Sequence, residues 1–209
     1  MNKIMKRFLV ICLASVLVML SSTRAKATEP AQMTVSILNE NTGESQSMSV
    51  PVYSSETRSL NGEIHTEGEV YVKIPADNHS GIKLMDANAY RATITTDSSS
   101  SQNTYWKATV SITYSADDTY CTFSKAGASW TQLRGTTTLS NREVYWGYTL
   151  GLNSGGNFEY PTSNSVSYNT GLAAMKYGNG SIIGCNSTAQ ITTQSGLVIT
   201  LQANVSKDL

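Results

Sequence analysis

The stretch Tyr105-Trp-Lys-Ala-Thr-Val-Ser-Ile-Thr-Tyr114 decides the fold, because its side chains alternate in character. The even-numbered residues from Trp106 to Tyr114 are apolar, and most residues between them are polar. Consecutive side chains on a strand point to opposite faces, whereas a helix would spread these apolar residues around its circumference. The stretch therefore predicts a β-strand with one buried and one wet face.

Two other regions repeat this alternation as hairpins. Near the end of the chain, residues 183–191 and 197–203 alternate on either side of a turn that contains Gly196. Near the start, residues 33–37 and 48–52 flank a turn-prone segment. Both regions predict antiparallel strand pairs.

Shorter apolar alternations separated by turn residues predict the other strands. They cover residues 69–74, 89–95, 119–124, 129–133, 136–139, 144–150 and 165–168. A turn is expected at 153–156, a helix is plausible only at 171–176, and 81–85 could be a strand or one turn. With about ten half-polar strands, the expected fold is all-β: an antiparallel two-sheet sandwich, immunoglobulin-like in outline.

The N-terminal segment has the pattern of a signal peptide. Lys3, Lys6 and Arg7 precede an apolar run of thirteen residues that begins at Phe8. A membrane-spanning helix needs about 20 such residues, so an uncleaved anchor is the weaker alternative. Ala25-x-Ala27 fits a cleavage site. We expect a signal peptide at 1–27, a single β-sandwich domain at 28–209, and a secreted product without a stable membrane anchor.

Charge excludes some classes of partner. Beyond residue 27 the chain has 10 basic and 15 acidic side chains, and no cluster of lysine or arginine. Nucleic acids and anionic membrane surfaces require concentrated positive charge. Neither is expected to be a partner.

Cys121 and Cys185 are the only cysteines after residue 27, and each lies on the apolar side of a predicted strand. Two interpretations are open. An extracellular compartment permits a disulfide between them, and two buried thiols behaving as small apolar groups would fit the pattern equally.

No residues form a recognisable catalytic or metal-binding set. The histidines, His65 and His79, have acidic neighbours but lack the three or four ligands of a zinc site, and no Gly-x-Ser-x-Gly motif occurs. The sequence predicts no cofactor, no metal site and no catalytic residues. A hydrolase is a third-ranked hypothesis, which requires a cleft that brings a histidine beside a carboxylate.

Aromatic residues in the second half of the chain are the better indication of a binding site. Trp146 shares strand parity with Val144 and is expected in the core. Tyr145 and Tyr160 are expected to be exposed, where they could stack on sugars or contact a protein.

The region from 104 to 205 also carries motifs without catalytic character: Ser129-Trp130, Thr138-Leu-Ser-Asn-Arg-Glu-Val144, Gly147, and Pro161-Thr-Ser-Asn-Ser-Val-Ser-Tyr-Asn-Thr-Gly171. This region resembles uncharacterised small secreted β-sandwich proteins of Gram-positive bacteria. The resemblance implies a secreted sandwich and supplies no chemistry.

Two functions rank above the hydrolase as hypotheses. The first is a secreted, non-enzymatic protein that binds a cell surface, a glycan or a protein partner. The second is an antimicrobial or pore-forming toxin, in which a Ser/Thr-rich stretch such as 98–114 inserts into a membrane after oligomerisation.

Overall fold

The computed structural model describes residues 30–52, 62–75, 81–96 and 103–209. The predicted signal peptide and His79 lie outside these ranges. The described residues form twelve strands and one helix. In chain order these are β1 Gln32–Asn39, β2 Ser45–Pro51, β3 Ile64–Ile74, β4 Lys83–Met85, α1 Ala87–Thr96, β5 Thr104–Ala116, β6 Tyr120–Arg134, β7 Thr137–Leu150, β8 Asn153–Glu159, β9 Ser165–Asn169, β10 Met175–Lys176, β11 Ile182–Thr193 and β12 Val198–Asp208.

The strands form two antiparallel sheets packed face to face. Sheet A has the order β2-β1-β12-β11-β7-β8, and sheet B has the order β10-β6-β5-β3-β4, with β9 also paired to β6. The first and last strands are therefore neighbours in sheet A. The predicted all-β sandwich is confirmed, and the immunoglobulin-like outline stays a prediction.

Alternation places the core where the sequence predicts it. In β5 every even-numbered residue from Trp106 to Tyr114 retains 4% exposure or less. Both predicted hairpins form, β1 with β2 and β11 with β12, and their inward side chains join the same core. Burying each large aliphatic side chain contributes about 1.5–3 kcal/mol, so this shared core dominates the stability.

The helix lies where a strand was predicted. Residues 89–95 are β-branched towards their end, which favoured a strand, but they belong to α1. The Asp86 carboxylate accepts a hydrogen bond from the Ala89 N–H at 2.7 Å, as an N-cap residue does. Tyr90 then stacks on Tyr71 with ring centroids 4.2 Å apart, so α1 covers one end of sheet B.

The helix considered at 171–176 does not form. Gly171 has a φ of 69°, and the Thr170 N–H donates to the Ser124 carbonyl of β6. Two residues then pair with β6 as β10. The edge of β6 satisfies the backbone of this segment, which therefore extends sheet B.

Three other predictions about local structure are resolved by strand pairing. The segment 81–85, left open between strand and turn, contains the short strand β4. Residues 153–156, expected to be a turn, begin β8 and pair with β7. The predicted strands 136–139 and 144–150 are one strand, β7, with a bulge at Asn141, whose φ is 47°.

The disulfide hypothesis is wrong in this structure, because Cys121 and Cys185 are free buried thiols. They belong to different sheets, and the Cys185 thiol donates to the Gly127 carbonyl at 3.7 Å. Gly127 lies six residues from Cys121 along β6, which is about 20 Å of extended strand. A disulfide requires Cα atoms within about 7 Å, so the packing of the sheets keeps the two sulfurs apart.

Candidate functional site

The outer face of sheet A carries one row of side chains that changes from polar to aromatic. Paired residues of an antiparallel sheet share a face. From β2 to β8, the row consists of Ser49, Thr34, Asn204, Asn186, Tyr145 and Phe158. One end of the row therefore presents hydroxyl and amide groups, and the other end presents two aromatic rings.

We define the aromatic shelf as Tyr145, Phe158 and Tyr160. The rings of Tyr145 and Phe158 have centroids 4.5 Å apart and are tilted by 32°. Phe158 is 51% exposed and Tyr160 is 73% exposed. β8 ends at Glu159, which pairs with Val144, and Tyr160 follows it directly. The shelf is thus a group of largely exposed aromatic residues on and just after the edge strand β8 of sheet A.

Glycines under the shelf position Tyr145. A Cβ atom added at Gly147 would lie 2.6 Å from the Tyr145 Oη, and one at Gly156 would lie 2.7 Å from its Cε2. The ring therefore lies flat over two glycines of neighbouring strands. On the opposite face of β8, the Tyr148 ring covers Gly155 in the same way, at 2.9 Å from its Oη. The Tyr145 and Tyr148 rings therefore fill the space that side chains at Gly156 and Gly155 would occupy, one on each face of β8.

The loop that carries Tyr160 is anchored at its far end. The Arg142 guanidinium donates to the Asn164 Oδ1 from Nε at 2.9 Å and from Nη2 at 2.5 Å. The Asn164 carbonyl accepts the Trp130 N–H at 2.8 Å. This loop joins β8 of sheet A to β9 of sheet B. Residues of both sheets therefore hold the chain in place after Tyr160.

Polar groups border the shelf on the neighbouring strands. The next row contains Gln202, Thr188 and Glu143 on β12, β11 and β7. Burial raises the pKa of the Glu143 carboxyl. The guanidinium of Arg142 is bound by Asn164. This neighbouring row therefore consists of amide and hydroxyl groups and the Glu143 carboxyl.

The aromatic predictions are met to different degrees. Tyr160 is exposed as predicted, whereas Tyr145 is half-buried because its ring packs on glycines. Trp146 is buried as predicted and stacks on Tyr168, with centroids 5.0 Å apart. Phe158 was not predicted from the sequence, because it closely follows residues 153–156, which were expected to form a turn. Its spacing of two residues from Tyr160 is the strand pattern that could have indicated it.

The other candidate groups do not form a site. His65 Nε2 lies 3.7 Å from a Glu67 carboxylate oxygen, and both side chains are partly exposed on β3. No group of three or more potential ligands is placed to hold a metal ion within the described residues. The Asp117 carboxylate accepts the Thr119 and Tyr120 N–H groups at 2.7 Å, which makes it a turn residue, and these bonds lower its pKa.

In the part of the chain that the structure describes, no helix has the length and apolar character needed to cross a membrane. Comparison of the chain with models of protein families, with curated proteins and with solved structures finds no match.

Proposed function

We propose that this protein is a secreted, non-enzymatic glycan-binding protein, and that the aromatic shelf on sheet A is its binding surface. The observation that carries the proposal is the exposed ring of Phe158 against the half-buried ring of Tyr145, with the exposed Tyr160 directly after β8 and a row of amide and hydroxyl side chains beside them. This combination provides both kinds of contact that a sugar offers.

A sugar ring has an apolar face of C–H groups and an edge of hydroxyl groups. Phe158 and Tyr160 supply exposed rings for the apolar face, and burial against a ring is the main source of affinity for such a contact. Asn186 and Thr188, on the strand next to the shelf, supply donors and acceptors for the hydroxyl groups. Because β-strands and glycine packing hold Tyr145 in place, little conformational entropy is lost on binding.

The charge near the shelf favours a neutral glycan. Glu143 borders the shelf, and Arg142, which follows the bulge at Asn141, is bound by Asn164. Since the described residues place no free cation beside the rings, a sulfated or carboxylated glycan would lack a partner for its charge there. A neutral polysaccharide of the cell surface is the class of ligand that we propose.

Binding to insoluble neutral polysaccharides and to a glycan array tests the proposal. Tyr160→Ala and Phe158→Ala should each weaken binding by roughly tenfold or more, as the loss of an exposed ring contact does. Tyr120→Ala is the matched control, because Tyr120 is 49% exposed but lies on sheet B, where it pairs with Lys176. Unchanged binding in both shelf variants, or no binding by the unmodified protein, would reject this function.

The toxin hypothesis gains no support from the geometry. Of the stretch proposed for membrane insertion, residues 104–114 belong to β5, which is paired along its length with β3 and β6. Insertion would break both pairings. Leakage of dye from liposomes treated with the protein would nevertheless favour the toxin over the glycan-binding proposal.

A further inference from the structure

Most strand edges in the described residues are protected against pairing with another chain. Beyond its contact with β4, the edge of β3 carries the charged residues Glu67 and Glu69. β2 ends at Pro51, and its Gln46 amide donates to the Ile82 carbonyl at 2.9 Å. The strands β4 and β10 have three and two residues. Charge, proline and shortness are the usual protections of an edge strand.

β9 is also short, and both of its ends are tied back to β6. The Trp130 N–H donates to the Asn164 carbonyl before β9, and the Thr170 N–H donates to the Ser124 carbonyl after it. These bonds leave five residues of regular strand. Its edge is therefore a poor template for another strand.

β8 lacks such protection. Its seven residues pair with β7 on one side, and among the described residues no strand pairs with its other side. It contains no proline and no basic residue, and its one charge, Glu159, is at the end. The Tyr145 and Tyr148 rings hold the Gly155-Gly156 pair in extended form from both faces. The result is a regular edge whose single charge is at its end, and whose outward N–H and C=O groups have no partner strand among the described residues.

We infer that two copies of this chain pair through β8 in antiparallel orientation, around a two-fold axis at Gly156, which joins the two A sheets into one continuous sheet. The strand is self-complementary in this register. Ser154 lies opposite Phe158 of the second copy, and Asn153 lies opposite Glu159 of the second copy. The carboxylate thus faces an amide that can donate to it, and like charges do not meet.

The exposed apolar residues at the two ends of β8 select this register. Leu152 is fully exposed at the turn before β8, and Tyr160 is 73% exposed just after it. An axis at Gly156 places Leu152 of each copy beside Tyr160 of the other, on both sides of the axis. Contact between Leu152 and the edge of the Tyr160 ring would stabilise the pairing and leave the face of the ring exposed, while the hydrogen bonds between the two β8 strands would set their antiparallel orientation.

Pairing also combines the two shelves. Because paired residues share a face, both shelves lie on the same side of the joined sheet, each bordered by Leu152 of the other copy. The dimer would bind a polysaccharide chain at two places, and the second contact would be effectively intramolecular. This consequence depends on the proposed function, whereas the dimer itself does not.

Cysteine cross-linking tests the register directly. In the proposed dimer Ser154 faces Phe158 of the second copy, at the roughly 4.5–5.5 Å Cα separation of an antiparallel pair. Ser154 residues of the two copies are offset by four positions, about 13 Å along the strand. Under oxidation, a mixture of S154C and F158C proteins should form a disulfide-linked dimer, whereas neither variant alone should do so. The native thiols are buried and do not compete.

The mass in solution, measured by light scattering, provides the second readout. The unmodified protein should have the mass of a dimer, and N157K should be a monomer because lysine on the edge opposes pairing. N169K, an asparagine-to-lysine change at another exposed position, on β9, should stay dimeric. A monomeric unmodified protein, or S154C alone cross-linking as fast as the mixture, overturns the dimer. Absence of glycan binding by an intact dimer would reject only the proposed function.

Discussion

The ring of Tyr145 allows a glycine-rich segment to behave as a regular strand. Glycine in a strand costs conformational entropy and leaves a gap in side-chain packing. Here the ring fills the gap above Gly147 and Gly156. The glycines in turn hold the ring flat at the surface, so one contact stabilises β8 and positions the shelf.

Gly156→Ala should therefore be destabilising. The new Cβ would lie 2.5 Å from the Trp146 carbonyl oxygen and 2.7 Å from the Tyr145 ring. Overpacking of this kind costs about 1–3 kcal/mol, because the backbone oxygen cannot move without breaking the β7–β8 ladder. Urea unfolding measures this loss. Gly178→Ala is the control: it meets no atom within 4 Å, so a change within about 0.5 kcal/mol is expected. Equal losses in the two variants would contradict this account of Tyr145.

The two cysteines should be unreactive in the folded protein. Burial raises the pKa of both thiols from 9.0 to about 12, so they stay protonated at pH 8. Thiolate is the reactive form. Iodoacetamide should leave Cys121 and Cys185 unmodified before unfolding and alkylate both in urea, as read by peptide mass spectrometry. A Cys121–Cys185 disulfide peptide would contradict the structure.

The same burial predicts lower stability in alkali. Unfolded thiols begin to ionise near pH 9, whereas the folded ones retain their protons until about pH 12. The unfolded state therefore loses protons first, and the free energy of unfolding falls as the pH rises through 9. Replacing both cysteines by alanine should reduce the slope of this fall in urea titrations. An identical slope would show that other groups cause it.

At the scale of secondary-structure elements, the turn between β5 and β6 is stabilised by the Asp117 carboxylate, which accepts hydrogen bonds from two of its backbone N–H groups. Asp117 accepts two backbone N–H groups at 2.7 Å, and these bonds lower its pKa from 3.8. Asp117→Ala should lower the melting temperature at pH 7, and Asp118→Ala should lower it less. A depressed pKa contributes its full stability above the unfolded value and loses it as the pH falls towards the folded value, so the effect should fade as the pH falls below about 3.8. A difference that persists in acid would contradict this role.

At the scale of the whole molecule, the sandwich brings the ends of the described chain together. β1 pairs with β12 over eight residue pairs, so sheet A contains both the first and the last described strand. A product cleaved after residue 27 would retain every strand described here. If export proceeds as the sequence predicts, the secreted protein should begin at Thr28, and intact-mass spectrometry of culture medium would detect residues 28–209. Protein retained in cells with residues 1–27 attached would contradict this.

Alternation by itself determined which side chains of β1, β5, β11 and β12 point inward, because that property depends only on extended backbone geometry. The same local logic placed Trp146 in the core and Tyr160 at the surface. The prediction from alternation failed at α1. There the Asp86 cap and the stacking of Tyr90 stabilise a helix more than the β-branched residues favour a strand.

Only the tertiary structure decided the features that depend on distant partners. Gly155 and Gly156 become part of a strand because rings from β7 cover them, and Phe158 joins the shelf because β8 pairs there. Cys185 meets Gly127 instead of Cys121 because the packing of the two sheets sets which residues face each other. Local sequence fixes the direction of a side chain relative to its own strand, but its neighbours depend on register and sheet packing, which are global properties of the chain.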